Sequence, residues 1–229
     1  MTIHSSQNSA ELVQSAANDF VKLAGELLST KAKIRVLLTG GSLGIAFIAA
    51  LADKQVDWGR VWLMFSDERF VPLEHQDRNE HQGITAWPEL ASMLTRFPAT
   101  DTEIEAAAAQ TTAALEVELG PLSAETSCFD LTVLGMGPDA HIASLFPGHT
   151  QPDSWVIAES NSPKPPAARL SLSYQALNRS ERVWFLAAGE SKSWAVAQSL
   201  DPASGLPAGR VRGRSETNWY LDQEITDAL

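Results

Sequence analysis

Short apolar segments alternate with helical segments along the 229-residue chain, and this alternation constrains the fold more than any other feature. Because apolar, β-branched strands of this kind are buried on both faces, we predict an α/β protein with a parallel sheet between helical layers. No internal repeat or long linker divides the pattern, which predicts a single domain over residues 1–229. The predicted strands are 34–38, 61–65, 129–134, 169–173, 183–187 and 219–221, and the predicted helices are 9–29, about 43–53, 101–119, one after 189 and one at the C-terminus.

The composition narrows the class of partner. A formal net charge of -11 argues against nucleic acid and anionic membrane surfaces, although a local cluster of Arg and Lys can still bind a small anionic substrate. The amino terminus is polar and no apolar run approaches the ~20 residues of a membrane span. We predict a cytoplasmic protein and expect a monomer or a weak homodimer. The single cysteine, Cys128, is interpreted as a buried structural thiol rather than a nucleophile.

Clusters of glycine and polar residues follow several predicted strands, at the edge of an open α/β sheet where ligands bind. The first cluster is Thr39-Gly40-Gly41-Ser42, between strand 34–38 and the next helix. Its glycines allow an anion to approach the backbone, and the helix that follows offers free N–H groups. The segment is either a phosphate-binding loop or an ordinary tight turn, and the residues alone leave both open. It is neither a dinucleotide-binding fingerprint nor a Walker A sequence, so no nucleotide is predicted.

Three charged residues, Asp67-Glu68-Arg69, follow the strand at 61–65. A solvated loop is one interpretation of such a run. A partly buried binding segment is the other, because aromatic residues flank the charges and unpaired buried charges are costly. In that case the guanidinium of Arg69 can form a bidentate pair of hydrogen bonds with a carboxylate or phosphate.

The glycine-rich segment 135–149 carries Asp139 and His141, two residues apart after the strand at 129–134. A lone histidine is more often structural than catalytic. A histidine beside an aspartate in a glycine-rich loop at a strand end favours acid/base catalysis instead. The spacing of the other histidines matches no metal-ligand signature, so no metal site is predicted.

Two isolated cations, Arg169 and Lys192, complete the set of candidates. Each is interpretable as an ordinary surface cation. However, Lys192 lies in the first turn of a predicted helix, where the helix dipole disfavours positive charge. A cation in that position is explained if an anion binds beside it.

Together these segments resemble the 6-phosphogluconolactonase family, in the family's order and over nearly the whole chain. The long stretch at 129–149 is highly specific for this resemblance, whereas LTGGS alone is not. The matching stretches are LTGGS (38–42), FSDERFVP (65–72) with Asn79, FDLTVLGMGPDAHIASLFPGH (129–149), RLSLS (169–173), FLAAGESK (185–192) and WYLD (219–222).

The resemblance implies an open three-layer α/β/α fold with a mostly parallel, Rossmann-like sheet, shared with glucosamine-6-phosphate deaminases. It also implies hydrolysis of 6-phospho-D-glucono-1,5-lactone to 6-phosphogluconate in the oxidative pentose phosphate pathway, without a cofactor. Carried over by position, His141 would be the acid/base that activates water, supported by Asp139. Asp67 and Arg69 would line the sugar site. The phosphate would be held by Gly40, Gly41, Ser42, Arg169 and Lys192.

The chain departs from the family pattern at three places. Leu43-Gly44 stand where the family usually has Thr-Pro, and Ala140 replaces the glycine between Asp139 and His141. We infer that the turn at Ala140 does not need a positive φ, since alanine resists one. Arg78 replaces the usual serine before Asn79, and we expect it to add a cation near the substrate.

Two alternatives remain. Glucosamine-6-phosphate deaminases resemble the chain at Asp139 and His141, but they carry a glutamate for ring opening where this chain has Phe146. They also tend to have tyrosine in place of Arg69. A non-catalytic sugar-phosphate sensor would need the cations but no acid/base pair.

Overall fold

The computed structural model describes residues 1–229, except for the side chain of Pro202. Within this described part, the strands are β1 (Thr2–Ser6), β2 (Ile34–Leu38), β3 (Val61–Phe65), β4 (Asp67–Arg69), β5 (Leu94–Thr95), β6 (Leu131–Gly135), β7 (Val156–Glu159), β8 (Arg169–Leu172), β9 (Arg182–Ala187) and β10 (Glu216–Asp222). The α-helices are α1 (Ser9–Thr30), α2 (Gly41–Leu51), α3 (Asn79–Ala86), α4 (Ile104–Leu119), α5 (Tyr174–Leu177), α6 (Ser193–Ser199) and α7 (Gln223–Thr226).

The central sheet has seven strands in the order β1-β10-β9-β6-β2-β3-β5, and every neighbouring pair is parallel. The chain leaves β2 toward β3 on one side, and later returns to place β6 on the other side of β2. This reversal opens a crevice at the carboxyl ends of β2 and β6, which is where ligands bind in sheets of this type. The predicted α/β class with a parallel sheet is therefore confirmed.

Alternating side chains of the strands divide the core into two layers. Val36 and Leu38 of β2 face a cluster that α1 and α2 cover, whereas Leu37 faces a cluster on the opposite side. That second cluster includes α4 residues such as Ala107 and Leu115. Both faces of the sheet are thus buried, which explains why its strands read as continuous apolar runs.

A second sheet of three antiparallel strands, in the order β4-β8-β7, lies beyond the end of β3. In its register Arg69 of β4 stands opposite Arg169 of β8. Strand β7 lies in the proline-rich segment 150–168, where no strand is predicted from the sequence. Strand β1 was also not predicted, because its polar residues form an edge strand with little burial.

The remaining predicted elements agree with the structure to within a few residues. Strands β2 and β3 have the predicted bounds, and Cys128 is buried as expected. None of the helices in the described part of the chain is long and apolar enough to span a membrane.

Candidate active site

A cavity of about 280 Å³ lies at the carboxyl ends of β2, β3, β6 and β9. It gathers nearly all of the residues singled out from the sequence, although they are spread over more than 150 positions. Its lining comprises Thr39, Gly40, Gly41, Ser42, Leu43, Gly44, Asp67, Arg69, Asn79, Gly135, Met136, Gly137, Pro138, His141, Ala143, Lys164, Pro165, Arg169, Leu186 and Lys192.

The imidazole of His141 borders this cavity and is paired with Asp139. Nδ1 of His141 lies 2.5 Å from Oδ1 of Asp139, and the same oxygen accepts the backbone N–H of His141 at 3.4 Å. The pair fits only because residue 137 is glycine, since a Cβ on Gly137 would lie 2.1 Å from the His141 ring. The aspartate therefore fixes the ring and its tautomer, with Nδ1 bound and Nε2 left for chemistry.

The environment holds the imidazole neutral near pH 7. Burial lowers the pKa of His141, and the hydrogen bond and charge of Asp139 oppose that effect only in part. The positive charge of Lys164 lowers it further. For Asp139, burial raises the pKa, but the hydrogen bond and charge of His141 outweigh it and lower the pKa overall. A neutral imidazole beside an ionised carboxylate is the form that a general base requires.

The turn that carries this pair corrects one inference from the sequence. Ala140 has φ 65°, in the left-handed region, and Ala143 follows with φ 46°. Alanine does occupy a positive φ here, contrary to what we inferred. The Ala140 side chain is fully buried in the core, and its N–H donates to the carbonyl of Gly137 at 3.0 Å. Packing and this turn hydrogen bond hold the strained conformation in place.

Phe146, which the sequence resemblance places at the position of the deaminase glutamate, packs behind the imidazole of His141. Its ring centroid lies 4.9 Å from that of His141, and the guanidinium of Arg169 lies 6.0 Å from the same ring. Phe146 is buried and does not line the cavity. It supports the imidazole and offers no acid or base.

The Gly40–Ser42 segment places the amino terminus of α2 at the cavity. The N-cap residue is Gly40, and no side chain caps the first turn. Gly41 has φ 74°, a conformation that favours glycine. The N–H groups of the first turn are therefore available to an anion.

Asn79 fastens this segment to the exit of β3. Its Nδ2 donates to the backbone carbonyl of Asp67 at 2.9 Å. A Cβ on Gly40 would lie 1.8 Å from Oδ1 of Asn79, so the two residues are in direct contact. The carboxylate of Asp67 in turn accepts from Oγ of Ser144 at 2.7 Å. Asn79 lines the cavity but acts mainly as a brace between two loops.

Four cations line the cavity: Arg69, Lys164, Arg169 and Lys192. Burial lowers the pKa of Arg169, and the charge of Arg69 lowers it further. Burial also lowers the pKa of Lys192, and the charge of Lys164 adds to that effect. Like charges gathered in a partly buried cleft repel one another unless an anion lies among them. The chain as a whole is acidic, so this local excess of positive charge suits an anionic ligand.

Lys164 is a cavity cation that is not predicted from the sequence. It lies in the proline-rich segment before β8, which Arg169 holds through hydrogen bonds from Nη2 to the carbonyl of Lys164 and from Nε to that of Pro166, at 3.0 and 3.1 Å. The sequence offered only a single lysine among prolines and serines as a sign of this position, and many surface segments share that pattern.

Arg78 does not line the cavity, so the expectation that it adds a cation near the substrate is wrong. Its side chain is fully buried and donates to the carbonyls of Phe97, Pro98 and Val71 at 2.9 to 3.3 Å. It also pairs with Glu80. Three backbone acceptors and a carboxylate draw it away from the site, into the protein interior.

The described residues contain no group of three or more His, Cys, Asp or Glu side chains arranged to hold a metal ion.

Comparison with known protein families gives a match over most of the chain. Residues 7–219 match the family model described as glucosamine-6-phosphate isomerases/6-phosphogluconolactonase. The chain belongs to this family.

Relatives within the glucosamine-6-phosphate isomerase/6-phosphogluconolactonase family match over nearly their full length. The 6-phosphogluconolactonase of Streptomyces coelicolor is 35% identical over 95% of this chain and 90% of its own. That of Mycobacterium leprae is 34% identical over 95% and 94%. The crystal structure of 6-phosphogluconolactonase from Thermotoga maritima superposes with a TM-score of 0.86 at 28% identity, covering 97% of this chain and 99% of the other. The open α/β/α architecture implied by the resemblance is that of the family.

Proposed function

We propose that the protein hydrolyses 6-phospho-D-glucono-1,5-lactone to 6-phospho-D-gluconate. The observation that carries the proposal is the placement of the His141–Asp139 pair in the same cavity as four cations. An acid/base pair suits ester hydrolysis, and the cations suit a phosphate. Relatives named 6-phosphogluconolactonase over most of the chain make this phosphorylated lactone the first substrate to test.

The phosphate binds at the amino terminus of α2. Gly41 and Ser42, at the start of α2, line the cavity together with Lys192, Lys164 and Arg169. Hydrogen bonds from cations and helix N–H groups to phosphate are charge-assisted and strong. Binding of this remote group places the lactone carbonyl near His141 and reduces the entropy lost in the reaction.

Neutral His141 then accepts a proton from a water molecule as the water oxygen attacks the lactone carbonyl carbon. The new C–O bond forms a tetrahedral intermediate, whose oxyanion Arg69 or backbone N–H groups stabilise. The ring C–O bond breaks as protonated His141 delivers its proton to the departing ring oxygen. Asp139 stabilises the imidazolium between these steps. The resulting carboxylic acid releases its proton to solvent.

Two features disfavour the alternatives. Phe146 is apolar and buried, so it cannot supply the acid that we expect of a deaminase at this position. A sugar-phosphate sensor needs no imidazole held neutral by burial and oriented by a carboxylate. We therefore favour hydrolysis of a small phosphorylated lactone over deamination, sensing, or binding of nucleic acid or membranes.

A coupled assay tests the function. Glucose-6-phosphate dehydrogenase generates the lactone in place, and the rate of lactone loss is measured with and without the protein, after subtraction of spontaneous hydrolysis. We expect a protein-dependent rate that is proportional to enzyme concentration. No rate above background, or ammonia release from glucosamine 6-phosphate, would contradict the proposal. Saturable binding of 6-phosphogluconate without turnover would favour the sensor.

A further inference from the structure

A buried charged cluster lies directly behind the cavity wall, outside the set of residues that face the substrate. It consists of Glu68, Arg78 and Glu80, all almost completely buried. Nη2 of Arg78 lies 3.0 Å from Oε2 of Glu80, and Nε of Arg78 lies 3.7 Å from Oε2 of Glu68. Buried charges of this kind are costly unless each is paired and hydrogen-bonded. Even a well-paired buried cluster contributes little net stability, so its presence points to a role other than stabilising the fold.

Glu68 caps a helix to which it does not belong. Helix α3 begins at Asn79, and its N-cap residue, Arg78, makes no side-chain capping bond. Instead Glu68 accepts the N–H groups of Asn79 and Glu80 at 2.7 and 2.9 Å. A carboxylate at this end of a helix also interacts favourably with the helix dipole. The start of α3 is thus fixed by a side chain from β4.

The same carboxylate fixes the cavity wall. Oε1 of Glu68 accepts the backbone N–H of Arg69 at 2.7 Å, as well as that of Asn79. Arg69 lines the cavity, and Asn79 braces Gly40 and the carbonyl of Asp67. One buried carboxylate therefore sets the backbone of two residues that face the substrate.

We propose that Glu68, paired with Arg78, is a positioning residue for the lactonase reaction, and that this buried pair holds Arg69 and Asn79 in their working geometry. The proposal rests on the function proposed above. Glu68 does not line the cavity, so it acts through the residues it holds rather than on the substrate.

The charges around Glu68 make its positioning role sensitive to pH. Burial and the charge of Glu80 raise the pKa of Glu68 to about 7, and the charge of Arg78 and the two helix N–H groups oppose this rise. The charge of Arg96, in the segment after β5, lowers the pKa of Glu80, and the charge of Glu68 raises the pKa of Arg169 on β8. A protonated Glu68 is a poorer acceptor for three N–H groups. Activity should therefore increase as pH rises through about 7.

The Glu68→Gln variant tests the positioning role. Its amide group keeps the size of the side chain but turns an N–H donor toward N–H groups, so we expect kcat/KM to fall at least about tenfold, since small misplacements in a site have large effects. The dependence of kcat/KM on pH near 7 should also disappear, leaving only the dependence set by His141. A kcat/KM within about twofold of the wild type would overturn the proposal.

Arg78 variants provide the readout that a merely structural role would not change. Removing the charge in Arg78→Met raises the pKa of Glu68 further, so the ratio of kcat/KM at about pH 8 to that at about pH 6 should increase about fivefold or more. Arg78→Lys keeps the charge and should keep the wild-type ratio. An unchanged ratio in Arg78→Met would overturn the proposal.

Arg179 offers a matched control for loss of a buried arginine. It is also buried, donates to the carbonyls of Thr126 and Pro121 at 3.1 and 2.8 Å, and lies away from the cavity. Arg179→Met should lose stability but keep the wild-type pH ratio. Each variant is assayed well below its melting temperature. Absence of lactonase activity in the wild type would contradict the function itself, whereas an active wild type with unaltered variants contradicts only this inference.

Discussion

Arg169 donates a hydrogen bond from Nη2 to the backbone carbonyl of Lys164 at 3.0 Å, so one cavity cation holds the segment that presents another. Nε of Arg169 binds the carbonyl of Pro166 in the same way. The proline-rich segment before β8 thus contributes Lys164 to the site through contacts with the first residue of that strand. This geometry couples two of the cations that line the cavity.

Lys164→Met should weaken phosphate binding while leaving the chemical step nearly intact. Loss of one charge-assisted hydrogen bond costs about 1.5–3 kcal/mol, so we expect KM to increase about tenfold or more with kcat changed less than about threefold. Steady-state kinetics in the coupled assay provide the measurement. Lys22→Met is the control, because Lys22 is an exposed residue of α1 whose ion pair with Asp19 lies outside the cavity. An unchanged KM would remove Lys164 from the phosphate site.

Arg169→Met should have the larger effect, because it removes a cation and also releases the segment that carries Lys164. We expect its increase in KM to exceed that of Lys164→Met. The double variant should then be less than additive, since the two residues act together. Full additivity would show that Arg169 and Lys164 contribute independently.

His141→Asn should abolish most turnover. General acid–base catalysis contributes about 10²–10⁴-fold, so we expect kcat to fall by at least about 10². Binding of 6-phosphogluconate, measured by calorimetry, should persist. His149→Asn is the control, because His149 is also paired with a carboxylate, that of Glu159 at 2.7 Å, but does not line the cavity. Near-normal turnover in His141→Asn would contradict its role as the base.

Gly137→Ala should inactivate the enzyme without removing any catalytic group. The added Cβ would lie 2.1 Å from the His141 ring and 2.6 Å from Oδ1 of Asp139, so the pair must separate. We expect kcat to fall about 10²-fold or more. Gly25→Ala in α1, where an added Cβ meets nothing within 4 Å, should keep full activity and gain about 0.5–1 kcal/mol of stability. Wild-type kcat in Gly137→Ala would show that the close pairing is dispensable.

The sequence predicts the parallel sheet well because its strands are buried on both faces and read as apolar runs. The cavity residues could also be anticipated, since Gly40, His141 and Lys192 follow directly on such strands. Strand β7 could not, because its pairing with β8 is set by tertiary contacts in a proline-rich segment. Arg78 was misplaced for a similar reason: the carbonyl groups that bind it belong to residues 97 and 98, far away in the sequence.

The ring of His141 should titrate below its ordinary pKa of 6.5. Burial disfavours the charged ring, so the unfolded chain binds more protons than the folded one as pH falls toward the folded pKa. Stability associated with His141 is therefore present above about pH 6.5 and is lost below it. NMR titration of the ring protons, assigned with the His141→Asn variant, measures the shift. Asp139→Asn should move the pKa lower still, and a pKa above 6.5 in the wild type would contradict this account.

Ala140→Gly should leave stability almost unchanged, although it empties a buried methyl position. Relief of the left-handed φ stabilises the folded state by about 1–2 kcal/mol. This gain offsets about 0.8 kcal/mol of lost methyl burial and the greater backbone entropy that glycine gives the unfolded chain. Ala16→Gly, a fully buried site within α1, has no strain to relieve and should cost about 1.5–2 kcal/mol. Urea unfolding of both variants gives the comparison. Equal losses would show that the turn at Ala140 stores no strain.

Arg69 and Arg169 stand opposite one another in the ladder between β4 and β8. Like charges in directly opposed positions weaken a sheet, and the charge of Arg69 disfavours the charge of Arg169. An anion bound between them would cancel this repulsion in addition to accepting their hydrogen bonds. Ligand binding would then tighten the small sheet itself, and the melting temperature of the protein would report the occupancy of the site even in a variant that has lost all turnover.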